Sequence, residues 1–428
     1  MDVERAITPA LTPDFPPVTI LEGPRTSGKT HVARSLVANG TWQGHETLAD
    51  PVTLELARHD LPGWLGSLPE TVIIDEAQLI ADLPLIVKGL VDEPRARRRF
   101  LLTGSARLGR SSLGGSDPLT GRVRRWTLSP LTLAELNGHP DRVRHLVEDL
   151  FSGAIAGSAP PPLPGSSADG VAAGREAMDG APFDIAAQVD RGGFPLIALD
   201  PPPAQARDRW VRDTTLGLLT DQVLPDDRFD AGMALRVLDG VLRDPAGILN
   251  VTGLGQRLGL DPRTVDRYLD VLERRFLVSF LPNLATNPTG QTRARSKIHA
   301  VDSAFAVESL RRANPSALAS PGTLGHVVET WVVNQILPAV QFAPTPVHAF
   351  YWRDAKTDHE VDLVLADTEN QLVGIEVKSS TQASLADAAG LAALRARVGL
   401  TRGYVIYAGT KTIRLADDCW AIPAAALG

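Results

Sequence analysis

Residues 19–30 read Thr-Ile-Leu-Glu-Gly-Pro-Arg-Thr-Ser-Gly-Lys-Thr. Gly23, four residues, and then Gly28-Lys29-Thr30 complete the pattern G-x-x-x-x-G-K-[ST]. It lies between an apolar strand beginning at Val18 and a helix predicted over 31–37. Glycine at the two ends of the loop lets backbone N–H groups turn inward around phosphate oxygens, and the helix N-terminus favours the same anion. Gly23, Pro24, Arg25, Thr26, Ser27, Gly28, Lys29 and Thr30 are therefore predicted to cradle a nucleoside triphosphate. Lys29 is expected to reach the β/γ-phosphates and Thr30 to place its hydroxyl on Mg²⁺.

Thr71-Val72-Ile73-Ile74-Asp75-Glu76-Ala77-Gln78 is a β-branched run that ends in two carboxylates. A parallel strand buried on both faces would deliver Asp75 to the Mg²⁺ shell at its carboxyl end. Glu76 would then polarise the attacking water as general base. A third apolar strand, from Phe100, ends in Thr103, Gly104 and Ser105, and either hydroxyl could face the γ-phosphate as a sensor. Arg122, in Leu-Thr-Gly-Arg ahead of a strand over 123–128, reads either as an arginine finger acting in cis or in trans, or as a solvated or internally paired side chain.

The chain has 428 residues, long for one core, and 43% of them are apolar. A net charge of −7 does not mark a general nucleic-acid binder, yet residues 95–125 hold nine arginines against Asp117 alone. Cys419 is the single cysteine, which excludes an intramolecular disulfide framework and a cysteine zinc cluster. With acids at Asp2 and Glu4, early prolines and no apolar run long enough to span a bilayer, the expectation is a soluble, cytoplasmic protein without a membrane partner.

The order of the P-loop, Ile-Ile-Asp-Glu-Ala-Gln, Leu-Thr-Gly-Ser, Leu-Thr-Gly-Arg and Leu-Ser-Pro-Leu-Thr-Leu-Ala-Glu-Leu resembles the prokaryotic AAA-type ATPases that carry a C-terminal domain of unknown function. Arg191-Gly192-Gly193-Phe194-Pro195 is similar to the Gly-Gly-Phe-Pro element of that family. The resemblance covers nearly the whole chain. It implies an α/β protein with an AAA+ P-loop NTPase parallel-sheet core, a winged helix-turn-helix module and a restriction-endonuclease-like C-terminal domain.

Residues 1–136 are assigned to the ATPase core, 137–240 to a helical connector, 241–313 to the winged helix-like domain and 320–428 to the nuclease-like domain. The Gly, Ala, Ser and Pro of residues 157–182 read as a flexible insertion in the connector. In the third unit, Asp261 is a predicted N-cap with Pro262 at the first helical position. Arg263, Arg267 and Arg274 would face outward, interleaved with Asp266, Asp270 and Glu273, so either DNA contact or a packing and partner role follows.

In the last unit a helix carries Glu329, one strand carries Glu360-Val361-Asp362, and another carries Glu376-Val377-Lys378. Period-two geometry sets Glu376 and Lys378 on one face. The resemblance to PD-(D/E)xK nucleases assigns Asp362 and Glu376 as ligands of a second Mg²⁺ or Mn²⁺, Glu329 as an outer or additional ligand, and Lys378 as the catalytic lysine. Two functions compete: an Mg-dependent ATP hydrolase driving a DNA-directed, nuclease-like C-terminal half, or a nucleotide-dependent switch that binds a protein partner through an inactive nuclease fold. Oligomerisation suits either.

Overall fold

Val18–Glu22 (β1), Thr71–Asp75 (β3) and Arg99–Gly104 (β4) are built from β-branched and large apolar residues, and almost every position is buried, as central parallel strands require. In the computed structural model, which describes residues 3–93, 97–105, 117–157, 183–220, 229–284, 295–354 and 356–428, they form an all-parallel sheet with Gly44–Thr47 (β2) and Val123–Thr127 (β5). The strand order is β2-β3-β4-β1-β5, so β4 runs between the P-loop strand and the strand of Asp75. Four helices serve this sheet: α1 (Lys29–Ala38), α2 (Pro51–His59), α3 (Leu61–Ser67) and α4 (Leu83–Asp92). Residues 158–182, with nearly all of the segment read as an insertion, lie outside the described residues.

After β5 the chain forms α5 (Leu133–Leu136) and α6 (Pro140–Ser152), and then a helical module: α7 (Ile185–Arg191), α8 (Pro195–Ala198), α9 (Ala204–Thr220), α10 (Ala231–Leu242), α11 (Val251–Leu258) and α12 (Pro262–Arg274). Asp261 caps α12 by accepting from the Thr264 N–H at 3.0 Å, with Pro262 at the first position, as the sequence predicts. Val265, Tyr268, Leu269 and Leu272 bury one face of α12, while Arg263, Asp266, Arg267 and Asp270 lie exposed. An antiparallel ribbon follows, β6 (Val278–Leu281) with β7 (Lys297–Ala300), then α13 (Ser303–Ala313). α10 packs on α12 and α13 and also on α9, so it joins the connector helices to the three-helix-and-ribbon arrangement.

The last module is a six-stranded mixed sheet in the order β12-β13-β11-β10-β9-β8. Its strands are β8 (Val347–Arg353), β9 (Glu360–Asp367), β10 (Leu372–Lys378), β11 (Arg402–Tyr407), β12 (Ile413–Ala416) and β13 (Cys419–Pro423). Helix α14 (Pro321–Val340) covers one face and α15 (Ala389–Arg397) joins β10 to its parallel neighbour β11. The edge strand β8 is not left open. Tyr351 donates its N–H to Pro282 O at 2.9 Å and accepts from Leu284 N at 2.6 Å, so the end of β6 zips onto it. One apolar cluster runs continuously from α6 through α10, α12 and α14 into this sheet. Among the described residues, no helix is long and apolar enough to cross a membrane.

Candidate functional site

The P-loop occupies the carboxyl end of β1. Gly28 has φ +100°, a region that side chains rarely adopt, whereas a Cβ on Gly23 would stand 2.3 Å from Leu128 O, so each glycine is required for a different reason. Thr26 and Glu76 are non-glycine residues in the left-handed region, at φ 64° and 57°, one in the loop and one directly after β3. Such positions cost about 1–3 kcal/mol each and gather where function requires them.

Lys29 is buried, and its Nζ donates to Gly23 O at 3.0 Å and Pro24 O at 2.9 Å. Burial lowers its pKa to about 8, against the raising influence of Glu76 and Asp75. Ser27 Oγ is buried in the loop without a hydrogen-bond partner among the described residues. An ammonium resting on main-chain carbonyls beside an orphaned hydroxyl suits a loop whose intended partner is an anion.

Asp75 is the hub of the opposite wall. Thr30 donates to its Oδ2 at 2.7 Å, and Thr103 donates to its Oδ1 while accepting from the Glu76 N–H at 3.3 Å. Burial pushes the Asp75 pKa up, but the His45 imidazole and the hydroxyls of Thr103 and Thr30 outweigh it and bring the value down to about 2. The buried Nε2 of His45, from β2, stands 3.9 Å from Oδ2, beyond hydrogen-bond distance but close enough to favour the ionised carboxylate. A hard, ionised oxygen touching the P-loop hydroxyl is the donor pair that Mg²⁺ takes beside phosphates, so the residues present fit the ion.

Glu76 turns aside. Its carboxylate accepts from Gln78 Nε2 and, at 3.0 Å, from Ser105 Oγ. The structure thus brings together Lys29, Thr30, Asp75, Glu76, Thr103 and Ser105, with Thr103 and Ser105 bonded to the two carboxylates. Arg122 does not join them. It precedes β5, its carbonyl accepts from Val18 N at the start of β1, and its guanidinium pairs with Asp92. β1 and β5 run parallel, so Arg122 lies at the opposite end of the sheet, roughly 13 Å of strand from the phosphate loop. The cis alternative for an arginine finger is therefore corrected.

His45, Gln78 and Arg5 contact the residues of this site and were not singled out from the sequence. The buried Arg5 donates to Ser27 O at 2.8 Å, Ser129 O at 2.6 Å and Glu135 Oε1 at 3.0 Å. Leu131 N in turn donates to Gly193 O at 2.7 Å, and Gly193 N to Asp302 at 2.7 Å. This explains the Gly-Gly-Phe-Pro element, since a Cβ on Gly193 would meet Leu131 O at 2.3 Å.

The C-terminal carboxylates meet a different partner. Lys297 Nζ, from β7, lies 2.6 Å from Glu329, 2.6 Å from Glu360 and 2.9 Å from Asp362. Burial alone would lower the lysine, yet Asp362, Glu329 and Glu360 hold it well above its ordinary value. The remaining Asp362 oxygen accepts from Val377 N at 2.9 Å. Glu376 is turned to Lys378, at 2.8 Å, and burial first, with Asp362 second, raises its pKa to about 8. The expected ligand set Asp362, Glu376 and Glu329 thus does not close around one open position, because an ammonium stands where three of the local carboxylates converge. No group of three metal-ligating side chains suited to an ion occurs among the described residues. The second metal expected from the sequence does not fit this arrangement. Glu360 was legible, lying two residues before Asp362 on the same strand face; Lys297 carried no such signal, opening a short strand that also holds His299.

Residues 16–137 match the family model described as an AAA domain, residues 183–316 one described as a domain of unknown function (DUF8612), and residues 324–427 another (DUF4143). The chain therefore carries an AAA-type P-loop ATPase domain. Relatives include uncharacterized proteins of Mycobacterium tuberculosis and Mycobacterium bovis, each 27% identical over 408 residues, which is 95% of this chain and 80% of the relative. Similar solved structures include a Walker-type ATPase of Pyrococcus abyssi, with 14% identity, 71% of this chain and 94% of that one covered, and a TM-score of 0.37. The RuvB Holliday junction branch migration motor of Thermotoga maritima has 18% identity, covers 65% and 83%, and scores 0.26. At these scores the likenesses carry no weight beyond the family model.

Proposed function

We propose that the protein is a Mg²⁺-dependent ATP hydrolase whose nucleotide state is passed to its C-terminal half. The observation that carries this reading is the convergence of Lys29, Thr30, Asp75 and Glu76 at one end of the parallel sheet. Lys29 leaves the Gly23 and Pro24 carbonyls for the β/γ-phosphates, and Thr30 and Asp75 hold the metal. Mg²⁺, when bound, supplies positive charge against the charge that develops on the phosphoryl oxygens. Glu76, once released by Gln78 and Ser105, orients the attacking water and accepts its proton. Thr103 fixes Asp75, and Arg122 itself would enter only from a neighbouring copy. Nucleotide binding and steady-state hydrolysis by wild type, Lys29→Ala and Glu76→Gln test the assignment; a Glu76→Gln protein that hydrolyses ATP at the wild-type rate would remove Glu76 from the role of base.

For the C-terminal half, the Lys297 contacts favour the second reading, a nucleotide-dependent switch with a non-cleaving nuclease-like fold that binds a partner. The three helices and ribbon of residues 231–300 support a winged-helix assignment, but the β6 end is spent on β8 and the exposed arginines of α12 alternate with aspartates, which weakens attraction to DNA. The DNA-cleaving alternative needs Lys297 to leave Glu329, Glu360 and Asp362 so that Asp362 and Glu376 take a metal and Lys378 acts as catalytic lysine. Metal-dependent nicking of supercoiled DNA that is lost in Asp362→Ala would restore that alternative.

A further inference from the structure

Three carboxylates from α14 and β9 converge on an ammonium that neither element supplies. Lys297 is 2% exposed, and it comes from a ribbon belonging to the preceding module. We propose that Lys297 is the resident cation of the C-terminal carboxylate cluster, supplied in cis in place of a divalent metal, and that the cluster serves to lock the ribbon to the C-terminal sheet.

Contacts centred on Tyr351 hold the ribbon where the lysine needs it. The β6 end pairs with Tyr351 of β8 through two main-chain hydrogen bonds. The Tyr351 hydroxyl donates to Arg295 O at 2.5 Å, just before β7, and its ring lies 5.8 Å from Lys297 Nζ. On the β7 side, the Lys297 main chain pairs with Leu281 within the ribbon. The ammonium is therefore delivered by a braced strand and not by a free-swinging side chain. Its three hydrogens match three carboxylates, and carboxylates so enclosed require either a bound cation or protonation. The carboxylate a divalent ion would next recruit, Glu376, is paired through one oxygen with Lys378 at 2.8 Å, and only its Oε2 is left without a hydrogen-bond partner among the described residues. Removing one member of a buried ion cluster leaves uncompensated charge, which is far more damaging than removing a surface pair. The inference does not depend on the hydrolase reading, since no P-loop residue takes part.

The test uses the nucleotide-free full-length chain, with Mn²⁺ as probe. Thermal unfolding and Mn²⁺ paramagnetic resonance are recorded for wild type, Lys297→Met and the charge-compensated Lys297→Met/Glu329→Gln pair, each with chelator or with Mn²⁺. Wild type is expected to unfold at the same midpoint in both conditions and to hold no Mn²⁺ that depends on Asp362. Lys297→Met should unfold at a lower temperature, recover part of the loss when Glu329→Gln is added, and be stabilised by Mn²⁺ where wild type is not. Should Lys297→Met fail to fold, the wild-type titration decides. A wild-type midpoint that rises with Mn²⁺ and loses that response in Asp362→Asn would overturn the proposal, as would a Lys297→Met protein as stable as wild type.

Discussion

The P-loop and the C-terminal cluster use the same residue types, lysine, aspartate and glutamate, in opposite states. At the P-loop, Lys29 rests on two neutral carbonyls and Asp75 on hydroxyls, so both retain their charge for a partner from outside. At the C-terminus, Lys297 already spends its charge on three carboxylates. The lesson is that a charged constellation becomes a binding site only where its charges are left incompletely answered by the fold. Matching residue types to a catalytic pattern does not establish that condition, whereas the hydrogen-bond partners do.

Several substitutions would sharpen or break this contrast. The largest effect is expected from Glu76→Gln, which should lower turnover by roughly 10²–10⁴-fold with nucleotide binding kept; stopped-flow and fluorescent-nucleotide titration separate the two. Lys29→Ala should weaken nucleotide binding by about 10- to 100-fold, the worth of a hydrogen bond to a charged group, while Lys378→Met should leave that affinity unchanged. Equal losses in both lysine variants, read by calorimetry, would end the distinction between the two sites.

A smaller effect concerns pH. With the free Lys29 pKa lowered to about 8, the side chain is charged below that pH and its phosphate contact is then available. Nucleotide affinity should hold steady up to about pH 8 and fall above it, by at most about tenfold per pH unit. Because bound phosphate raises the lysine pKa, binding near pH 9 should take up a proton, visible as a buffer-dependent heat. For the nucleotide-free protein the sign is reversed. The folded pKa lies below the ordinary value of 10.5, so this group's destabilising contribution is full below pH 8 and fades as pH rises toward 10.5. The smallest effect belongs to Arg122→Ala, whose solvent-exposed pairing with Asp92 should leave the thermal unfolding midpoint almost unchanged. A strong loss of hydrolysis that appears only at concentrations where copies associate would identify Arg122 as a finger donated in trans.

The parts legible in the sequence were those fixed by local rules. The P-loop is contiguous, so its glycines, Lys29 and Thr30 can be read from spacing, and the apolar run before Asp75 could be placed as a buried strand. Asp261 and Pro262 announced α12 by capping chemistry alone. What escaped depends on distant partners. Arg5 meets Ser27, Ser129 and Glu135, the last 130 positions away, and nothing in its neighbours along the chain marks it. Lys297 meets its carboxylates 32 to 65 positions on, so the same acidic residues could be read as metal ligands until the strand pairing was known. For Arg122 the finger and the internally paired readings stayed open for a related reason: its partner Asp92 lies 30 positions back, and nothing local announces the pair.

Arg5 has a consequence for how the molecule responds to its ligand. One planar guanidinium clamps the floor of the phosphate loop to the Ser129 carbonyl and the Glu135 carboxylate, and the adjoining Leu131 is stitched to Gly193. An incoming triphosphate that shifts the Ser27 carbonyl must either break a charge-assisted hydrogen bond or drag the start of α5 with it. The loop and the helical module are thus geared together at a single tooth, and a lysine at this position, lacking the three-way fork, would let one turn without the other.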